Sequence, residues 1–232
     1  RDTMKFMTTL LGLNLQVTGL ERLPTSGPFI LAANHPTGIA DGVAVHALVN
    51  SVRPDIAIFT NRDAVRINRR LDEVLIPVEW RDEHKTREKT KETLISTAEA
   101  FDEGRAVVIF PSGRIGYWKN DKLNERPWQA TIVTLARRYK VPIIPVHVSS
   151  RNSGLFYLFS RISSELRDMT VFHELLNKSG SHFGLTVGKP IDPEMLSGDV
   201  NDVSEALQEH TVHTLAANKD ADFRRQTMFQ NT

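Results

Sequence analysis

Residues 28–49 read PFILAANHPTGIADGVAVHALV, and this stretch is the strongest indication of the fold class. Its first part, Phe29–Ala33, is a continuous apolar run, which is typical of a strand buried on both faces of a sheet. Its last part, Ile39–Val49, places Ile39 and Val43 on one face of a predicted helix. A strand followed at once by a helix is the repeating unit of α/β folds, so the stretch predicts that class.

The same alternation continues along the rest of the sequence. Six more apolar runs predict strands: Leu15–Thr18, Ile56–Thr60, Val74–Val78, Ala106–Phe110, Pro142–Val148 and Phe183–Val187. Three more patterns predict helices: Glu83–Glu103, Trp128–Tyr139 and Val203–Ala217. We therefore expect an α/β fold with a mixed, largely parallel central sheet flanked by helices.

The length of 232 residues predicts a single domain. Within it we expect an N-terminal amphipathic segment over residues 1–14, a core over about 15–191 and a C-terminal helical segment over 192–232. No apolar run approaches the roughly 18 residues that a membrane-spanning helix needs. The sequence leaves open whether a membrane anchor precedes Arg1.

Composition excludes several classes of function. The net charge is +1, from 29 basic and 28 acidic residues, and no basic stripe carries interleaved aromatic residues, so we expect no nucleic-acid partner. The absence of cysteine excludes disulfides, thiolate metal sites and a cysteine nucleophile. The histidines lack metal-ligand spacing, so we also expect no metal site, and His46 is better explained as a core histidine.

Polar residues directly follow the strand Phe29–Ala33, at Asn34, His35 and Asp41. In α/β sheets, sites gather at the carboxyl ends of strands. A histidine before a helix start favours the neutral imidazole that a general base requires, and Asp41 in the first turn can orient it. Taken alone, these residues fit a simple turn and helix cap equally well.

Two further strand ends carry arginine. Phe110–Arg114 reads FPSGR, and Asn61–Asp63 reads NRD. Arginine suits recognition of phosphate or carboxylate, although each segment alone is equally consistent with a solvated turn. Ser112 is a poor candidate nucleophile, because Phe110 stands where the Gly-x-Ser-x-Gly elbow has its first glycine.

Taken in order, these motifs resemble the lysophospholipid acyltransferase superfamily, in particular its glycerolipid and lysophosphatidic acid acyltransferases. The family's four blocks are Asn-His-x4-Asp, Ile-Phe-x-x-Arg, Phe-Pro-Glu-Gly-Thr-Arg and Val-Pro-Ile-x-Pro-Val. Their counterparts here are Asn34–Asp41, Ile58–Arg62, Phe110–Arg114 and Val141–Val146. The resemblance spans about Leu15 to Ile191, and four ordered blocks are far more specific than any one of them.

The resemblance implies an enzyme of membrane phospholipid biosynthesis that needs no cofactor. It would transfer a fatty acyl group from acyl-CoA or acyl carrier protein to the hydroxyl of a lysolipid. His35 would act as the base and Asp41 would orient it. The implied substrate-binding residues are Asn34, Arg62, Ser112, Gly113 and Arg114.

Two departures from the family pattern leave the acceptor open. Five residues, rather than four, separate His35 from Asp41. Ser112 replaces the glutamate of the third block, and Arg114 arrives one position early. The longer spacing is similar to a divergent bacterial branch, hemolysin-like or ornithine-lipid-related, which the sequence also resembles at Arg151–Ser153 and Glu174–Lys178. The resemblance therefore implies that the acceptor is a lysophospholipid, such as a 1-acylglycerol 3-phosphate, or a lyso-aminolipid.

Because a lysolipid acceptor lies in a bilayer, we expect the protein to contact a membrane surface. It would be a peripheral or an anchored protein at the cytoplasmic face of the membrane. Two segments combine apolar residues with basic flanks, as interfacial helices do. The first is the N-terminal amphipathic segment, with Met4, Phe6, Met7, Leu10 and Leu11. The second runs from Leu155 to Leu166 and equally fits a helix packed on the sheet. Two alternative functions stay open: a thioesterase or lipase-like hydrolase, and a non-catalytic lipid-binding module.

Overall fold

A computed structural model describes residues 8–9, 11–62, 74–79 and 82–224 of the protein. Its strands are β1 (Asn14–Thr18), β2 (Phe29–Ala33), β3 (Ile56–Asn61), β4 (Leu75–Val78), β5 (Ala106–Ile109), β6 (Tyr117–Lys119), β7 (Lys122–Asn124), β8 (Ile143–Ser149) and β9 (His182–Val187). Its longer helices are α1 (Ile39–Asn50), α2 (Arg87–Asp102), α3 (Thr131–Tyr139), α4 (Gly154–Ile162), α5 (Ser164–Asn177) and α6 (Val200–Glu209).

The central sheet has seven strands in the order β1-β9-β8-β2-β5-β3-β4. All neighbouring pairs are parallel except β8 and β9, which are antiparallel. Five strands therefore run one way, and the edge pair β1 and β9 runs the other way. This confirms the predicted mixed, largely parallel sheet.

Helices cover both faces of the sheet because its central strands are apolar on both sides. On one face, Phe29 and Leu31 of β2 pack with Val43 and Leu48 of α1. On the other face, side chains of β2 and β5 pack with α2, α3 and α6. Each strand residue thus alternates between two separate hydrophobic cores, as the pleat requires.

Every predicted strand is present, with ends that differ by a residue at most. The start of α3 differs more, since the helix predicted from Trp128 begins at Thr131. The backbone N–H groups of Trp128 and Gln129 donate to Gln208 and Pro111, which holds this segment outside the helix. Similarly, the predicted Glu83–Glu103 helix begins at Arg87, where Thr86 caps it.

The sequence did not predict the antiparallel hairpin of β6 and β7, between β5 and α3. Its strands have only three residues each, too few for a clear alternating pattern. Asn120 and Asp121 form the turn with positive φ values of 53° and 55°, which these residue types tolerate. The hairpin matters because it reaches the candidate site.

The two ends of the protein are described in part. Leu11 of the predicted N-terminal amphipathic segment is buried in the core, whereas Met4, Phe6, Met7 and Leu10 lie outside the described residues. Near the other end, α6 continues through a π-helical turn at His210–Thr214 into Leu215–Ala217. Among the described residues, no helix is both long and apolar enough to cross a bilayer.

Candidate active site

Three loops follow the parallel strands β8, β2 and β5, which are neighbours in the sheet. Because these strands run in the same direction, the three loops lie at the same edge. They are Asn34–Gly38 after β2, Phe110–Arg114 after β5 and Ser150–Ser153 after β8. We use the name histidine loop for Asn34–Asp41, which is the loop after β2 together with the first residues of α1. It lies in the middle, with one loop on either side.

The histidine loop brings His35 and Asp41 together. His35 Nδ1 lies 3.0 Å from Asp41 Oδ2, although the contact lacks the angle of a well-directed hydrogen bond. The Asp41 side chain is fully buried, whereas that of His35 keeps 19% of its surface exposed. A ligand can therefore reach the imidazole but not the carboxylate behind it.

Local hydrogen bonds hold the Asp41 carboxylate in place. Its Oδ2 accepts from the N–H groups of Thr37 and Gly38, at 2.8 and 2.9 Å, and its Oδ1 accepts from the Thr37 hydroxyl. Gly38 has a φ of 93°, which allows the tight turn. These donors satisfy a buried charge, as burial requires. The longer spacing between His35 and Asp41 thus still gives a close contact.

Three neighbours fix His35 itself. Its ring stacks on Phe110, with the ring centroids 4.3 Å apart. Its backbone oxygen accepts from Gly116 N–H at 2.8 Å, and its backbone N–H donates to Glu125 Oε2 at 3.1 Å. Gly116 and Glu125 flank the β6–β7 hairpin, so the ends of this hairpin hydrogen-bond to both backbone polar groups of His35.

Glu125 is the residue of this site that the sequence motifs missed. Its Oε1 accepts from Trp128 Nε1 at 3.0 Å, and the Ser112 side chain lies close enough to lower the pKa of Glu125. Burial raises the pKa of Glu125, although the bonds from Trp128 and from the His35 N–H oppose that shift. A carboxylate therefore lies beside Ser112, although the third motif has none. No local pattern signals this, because Glu125 follows a short hairpin.

Asn34 joins the histidine loop to β8. Its Nδ2 donates to Val148 O at 3.0 Å, and its Oδ1 accepts from Val148 N–H at 2.6 Å. The side chain is buried. The amide therefore extends the β2–β8 pairing past the end of β2. That it also binds substrate stays a prediction.

The predicted anion-binding residues lie on the β5 side of the histidine loop. Ser112 is buried, with its Oγ donating to Arg114 O at 3.0 Å, and Gly113 closes the turn through its N–H bond to Phe110 O. The Arg114 side chain is exposed. Arg62 directly follows β3, beyond β5, and its Nη1 lies 2.7 Å from Glu92 Oε2. Arg62 Nε and Nη2 are buried and have no hydrogen-bond partner among the described residues.

On the β8 side, a buried ion pair supports the loop Ser150–Ser153. Glu174 of α5 and Lys178 at its end lie 3.1 Å apart, and Glu174 also accepts from the N–H and hydroxyl of Ser153, at 2.9 and 2.5 Å. Burial opposes ionisation of Glu174, but the Ser153 bonds and the Lys178 ammonium outweigh it and lower the pKa. The neighbouring Asn152 donates through Nδ2 to Thr37 O at 3.3 Å.

The predicted metal-free site is compatible with the described residues, where no three His, Asp or Glu side chains lie together in a way that could hold a metal ion. The expectation that no metal takes part stays a prediction. His46 is buried within α1, next to the first core, as expected for a core histidine.

Comparisons with known proteins identify the family to which this sequence is related. Residues 14–149 match the protein family described as Acyltransferase. Two curated proteins named lyso-glycine lipid O-acyltransferase, from Bacteroides thetaiotaomicron and Phocaeicola vulgatus, are each 24% identical over 196 residues. These alignments cover 82% of this protein and 70% and 68% of the two relatives.

A solved structure supports the fold. The 1-acyl-sn-glycerophosphate (LPA) acyltransferase PlsC from Thermotoga maritima superimposes with a TM-score of 0.59 at 16% identity, covering 96% of this protein and 80% of that one. The family match over residues 14–149 spans more than half of the 232 residues and includes the histidine loop and the turn after β5. The protein therefore belongs to the acyltransferase family.

Proposed function

We propose that this acyltransferase moves a fatty acyl group from a thioester donor, acyl-CoA or acyl carrier protein, to the hydroxyl of a lysolipid. The observation that carries the proposal is the His35–Asp41 pair: an accessible imidazole, 3.0 Å from a buried carboxylate whose oxygens are otherwise satisfied. This is the arrangement of a general base and its orienting group.

The reaction follows from this pair. His35 accepts the proton of the acceptor hydroxyl through its ring nitrogen remote from Asp41, while the oxygen attacks the thioester carbonyl. The tetrahedral intermediate then collapses, the C–S bond breaks, and the imidazolium returns the proton to the departing thiolate. Asp41 stabilises the imidazolium between these steps. An ester and a free thiol result.

Backbone N–H groups of the turn after β5 are the candidates for stabilising the oxyanion. Within the histidine loop, the N–H groups of His35, Thr37 and Gly38 already donate to carboxylates of the protein. In the turn, Gly113 N–H donates to Phe110 O, whereas the N–H groups of Ser112 and Arg114 have no backbone acceptor among the described residues. An oxyanion donor typically contributes about 3–4 kcal/mol to transition-state stabilisation.

A lysolipid acceptor is supported by the two curated relatives, which are named for a lyso-glycine lipid, and by an apolar surface on the molecule. Leu155, Leu158 and Ile162 lie along α4 with their side chains exposed, and Arg161 flanks them. An exposed apolar row with a basic flank is typical of a helix that lies on a bilayer. We place the enzyme at the membrane surface on this basis, at the cytoplasmic face where acyl thioesters are found.

The test is transfer of a radiolabelled acyl group from acyl-CoA, and separately from acyl carrier protein, to a lyso-glycine lipid and to lysophosphatidic acid in mixed micelles. The wild-type protein should form an acylated lipid, and His35→Ala should lower the rate at least about a thousandfold. If a folded His35→Ala protein still transfers the acyl group, the proposal is wrong.

The same assay separates the alternative functions by their products. Release of free fatty acid without acylated lipid would indicate a hydrolase. Binding to lipid vesicles without turnover, over both donors and both acceptors, would indicate a non-catalytic lipid-binding module. Circular dichroism spectra of His35→Ala and of the wild type would test whether the two proteins share a fold.

A further inference from the structure

An open groove of about 540 Å³ lies on the β8 side of the histidine loop. Its lining includes Leu123, Arg151, Asn152, Ser153, Lys178 and His182. Antiparallel pairing of β8 with β9 brings the start of β9 to the end of β8, which explains why His182 meets the loop Ser150–Ser153. The groove thus lies between the end of β8, the start of β9 and the end of α5.

The groove adjoins the catalytic loop through two of its lining residues. Asn152 Nδ2 donates to the backbone oxygen of Thr37, within the histidine loop. Leu123 belongs to β7 of the hairpin that clamps His35. A ligand in the groove would therefore contact the same supports that position the base.

The charge of the groove is positive. Arg151 is exposed and forms no ion pair with any described residue, while Glu174 neutralises Lys178. Among the described residues that line the groove, none is acidic; six are serine or asparagine. The nine-residue helix α4 begins directly after Ser153 in the sequence, and its N-terminus adds positive electrostatic potential to the groove. Guanidinium and hydroxyl groups without a competing carboxylate suit an oxyanion.

The groove is continuous with the apolar surface of the molecule. α4 starts at the groove and carries the exposed side chains of Leu155, Leu158 and Ile162. A lysolipid has the complementary layout, with one anionic head group and one apolar tail. A fatty acyl-CoA donor also joins an apolar chain to anionic phosphate groups, so competition with coenzyme A is needed to distinguish the two ligands.

We propose that this groove binds the oxyanion of the acceptor's head group, a carboxylate or a phosphate, with Arg151 as the main charged contact. The proposal rests on the lysolipid acceptor proposed above and names the residues that select it. The groove lies on the β8 side of His35, whereas Arg62 and Arg114 lie on the β5 side.

Direct binding tests the groove without any need for turnover. Isothermal titration calorimetry with N-octanoylglycine, octyl phosphate and the uncharged methyl ester of N-octanoylglycine compares three probes of similar tail. We expect the anionic probes to bind at least about tenfold more tightly than the ester. Arg151→Gln should weaken binding of the anionic probes about tenfold, the typical effect of losing one charge-assisted hydrogen bond.

Arg138→Gln is the matched control, because Arg138 is an exposed arginine on α3, at the other face of the sheet. It should leave the binding of all three probes unchanged. The relative affinities for N-octanoylglycine and octyl phosphate then tell a carboxylate head group from a phosphate one.

Two results would overturn the proposal. One is equal binding of anionic probes by the wild type and Arg151→Gln. The other is displacement of bound N-octanoylglycine by coenzyme A together with loss of coenzyme A affinity in Arg151→Gln, which assigns the groove to the donor. Because binding is measured without transfer, a protein that binds the probes through Arg151 but transfers no acyl group would retain the groove and refute only the proposed activity.

Discussion

The two sides of the histidine loop hold the same base by different means. On the β8 side, neutral amides connect Asn34 to Val148 and Asn152 to Thr37, and a buried, paired Glu174 supports them from behind. On the β5 side, the support is one carboxylate, Glu125, which accepts directly from the backbone N–H of His35.

The two carboxylates also respond to pH in opposite directions. The pKa of Glu174 is lowered, so its contribution to stability is present above the ordinary pKa of 4.5 and is lost as the pH falls through the lowered value. The pKa of Glu125 is raised by burial, so folding favours its protonated form. Its contribution is full below 4.5 and is lost as the pH rises through the raised value. The β8 side therefore contributes stability at neutral pH, whereas burial makes ionisation of the carboxyl group on the β5 side, next to the base, unfavourable.

The largest effect should come from Asp41, on which both sides converge. Asp41→Asn keeps an oxygen for the N–H groups of Thr37 and Gly38, removes the charge behind His35, and places an NH2 group where the Thr37 hydroxyl now donates. We expect kcat to fall about 10³–10⁴-fold, because the imidazolium loses its stabilising partner. Steady-state kinetics measure this, with melting temperature as the check on folding. A loss below about tenfold would show that Asp41 only caps α1.

Lys178→Met should have the next largest effect and should act on stability. The Lys178 side chain is 6% exposed, and its loss leaves Glu174 as an uncompensated buried charge. We expect the free energy of unfolding to fall by about 3–5 kcal/mol at pH 7, measured by urea denaturation. Adding Glu174→Gln should recover part of this loss, since glutamine still accepts from Ser153. The exposed Lys91 offers the control, and Lys91→Met should change little.

Glu125→Gln tests the β5 side. Glutamine replaces one of the two acceptor oxygens with an NH2 group, so either His35 N–H or Trp128 Nε1 faces a donor instead of its acceptor. We expect kcat to fall about 10–100-fold with KM nearly unchanged, as for a residue that positions the base. Glu205→Gln, on the exposed face of α6, should leave both constants unchanged.

The pH dependence of stability gives a second readout for Glu125. The free energy of unfolding should be higher for the wild type than for Glu125→Gln, and the difference should be largest near pH 4. This difference should shrink as the pH rises through the raised pKa of Glu125. A margin that is constant between pH 4 and 8 would show that Glu125 titrates as an ordinary surface carboxylate. It would also remove the contrast between the two sides.

The sequence predicted the parts of the site whose residues are close in sequence. His35 and Asp41 are six positions apart at the end of a strongly apolar strand, so residues 28–49 indicated the fold class and suggested the pair. The three companion blocks then favoured a catalytic role for the pair over a helix cap. Glu125 could not, because its contact with His35 joins positions 90 apart through a short hairpin. The groove could not either, since it depends on the antiparallel pairing of β8 with β9, whereas the apolar runs indicated strands but not their order.

The smallest effect should come from the outer part of the β8 side, where α4 leaves the groove. Leu158 is 52% exposed there, and Leu94 on α2 is similarly exposed, at 48%. If α4 lies on the bilayer, Leu158→Gln should lower partitioning onto anionic vesicles about fivefold, since part of one leucine side chain no longer enters the apolar phase. Leu94→Gln should leave partitioning unchanged in the same sedimentation assay. Equal losses in both variants would mean that general surface hydrophobicity, rather than α4, governs adsorption, and the acceptor would then reach His35 from another direction.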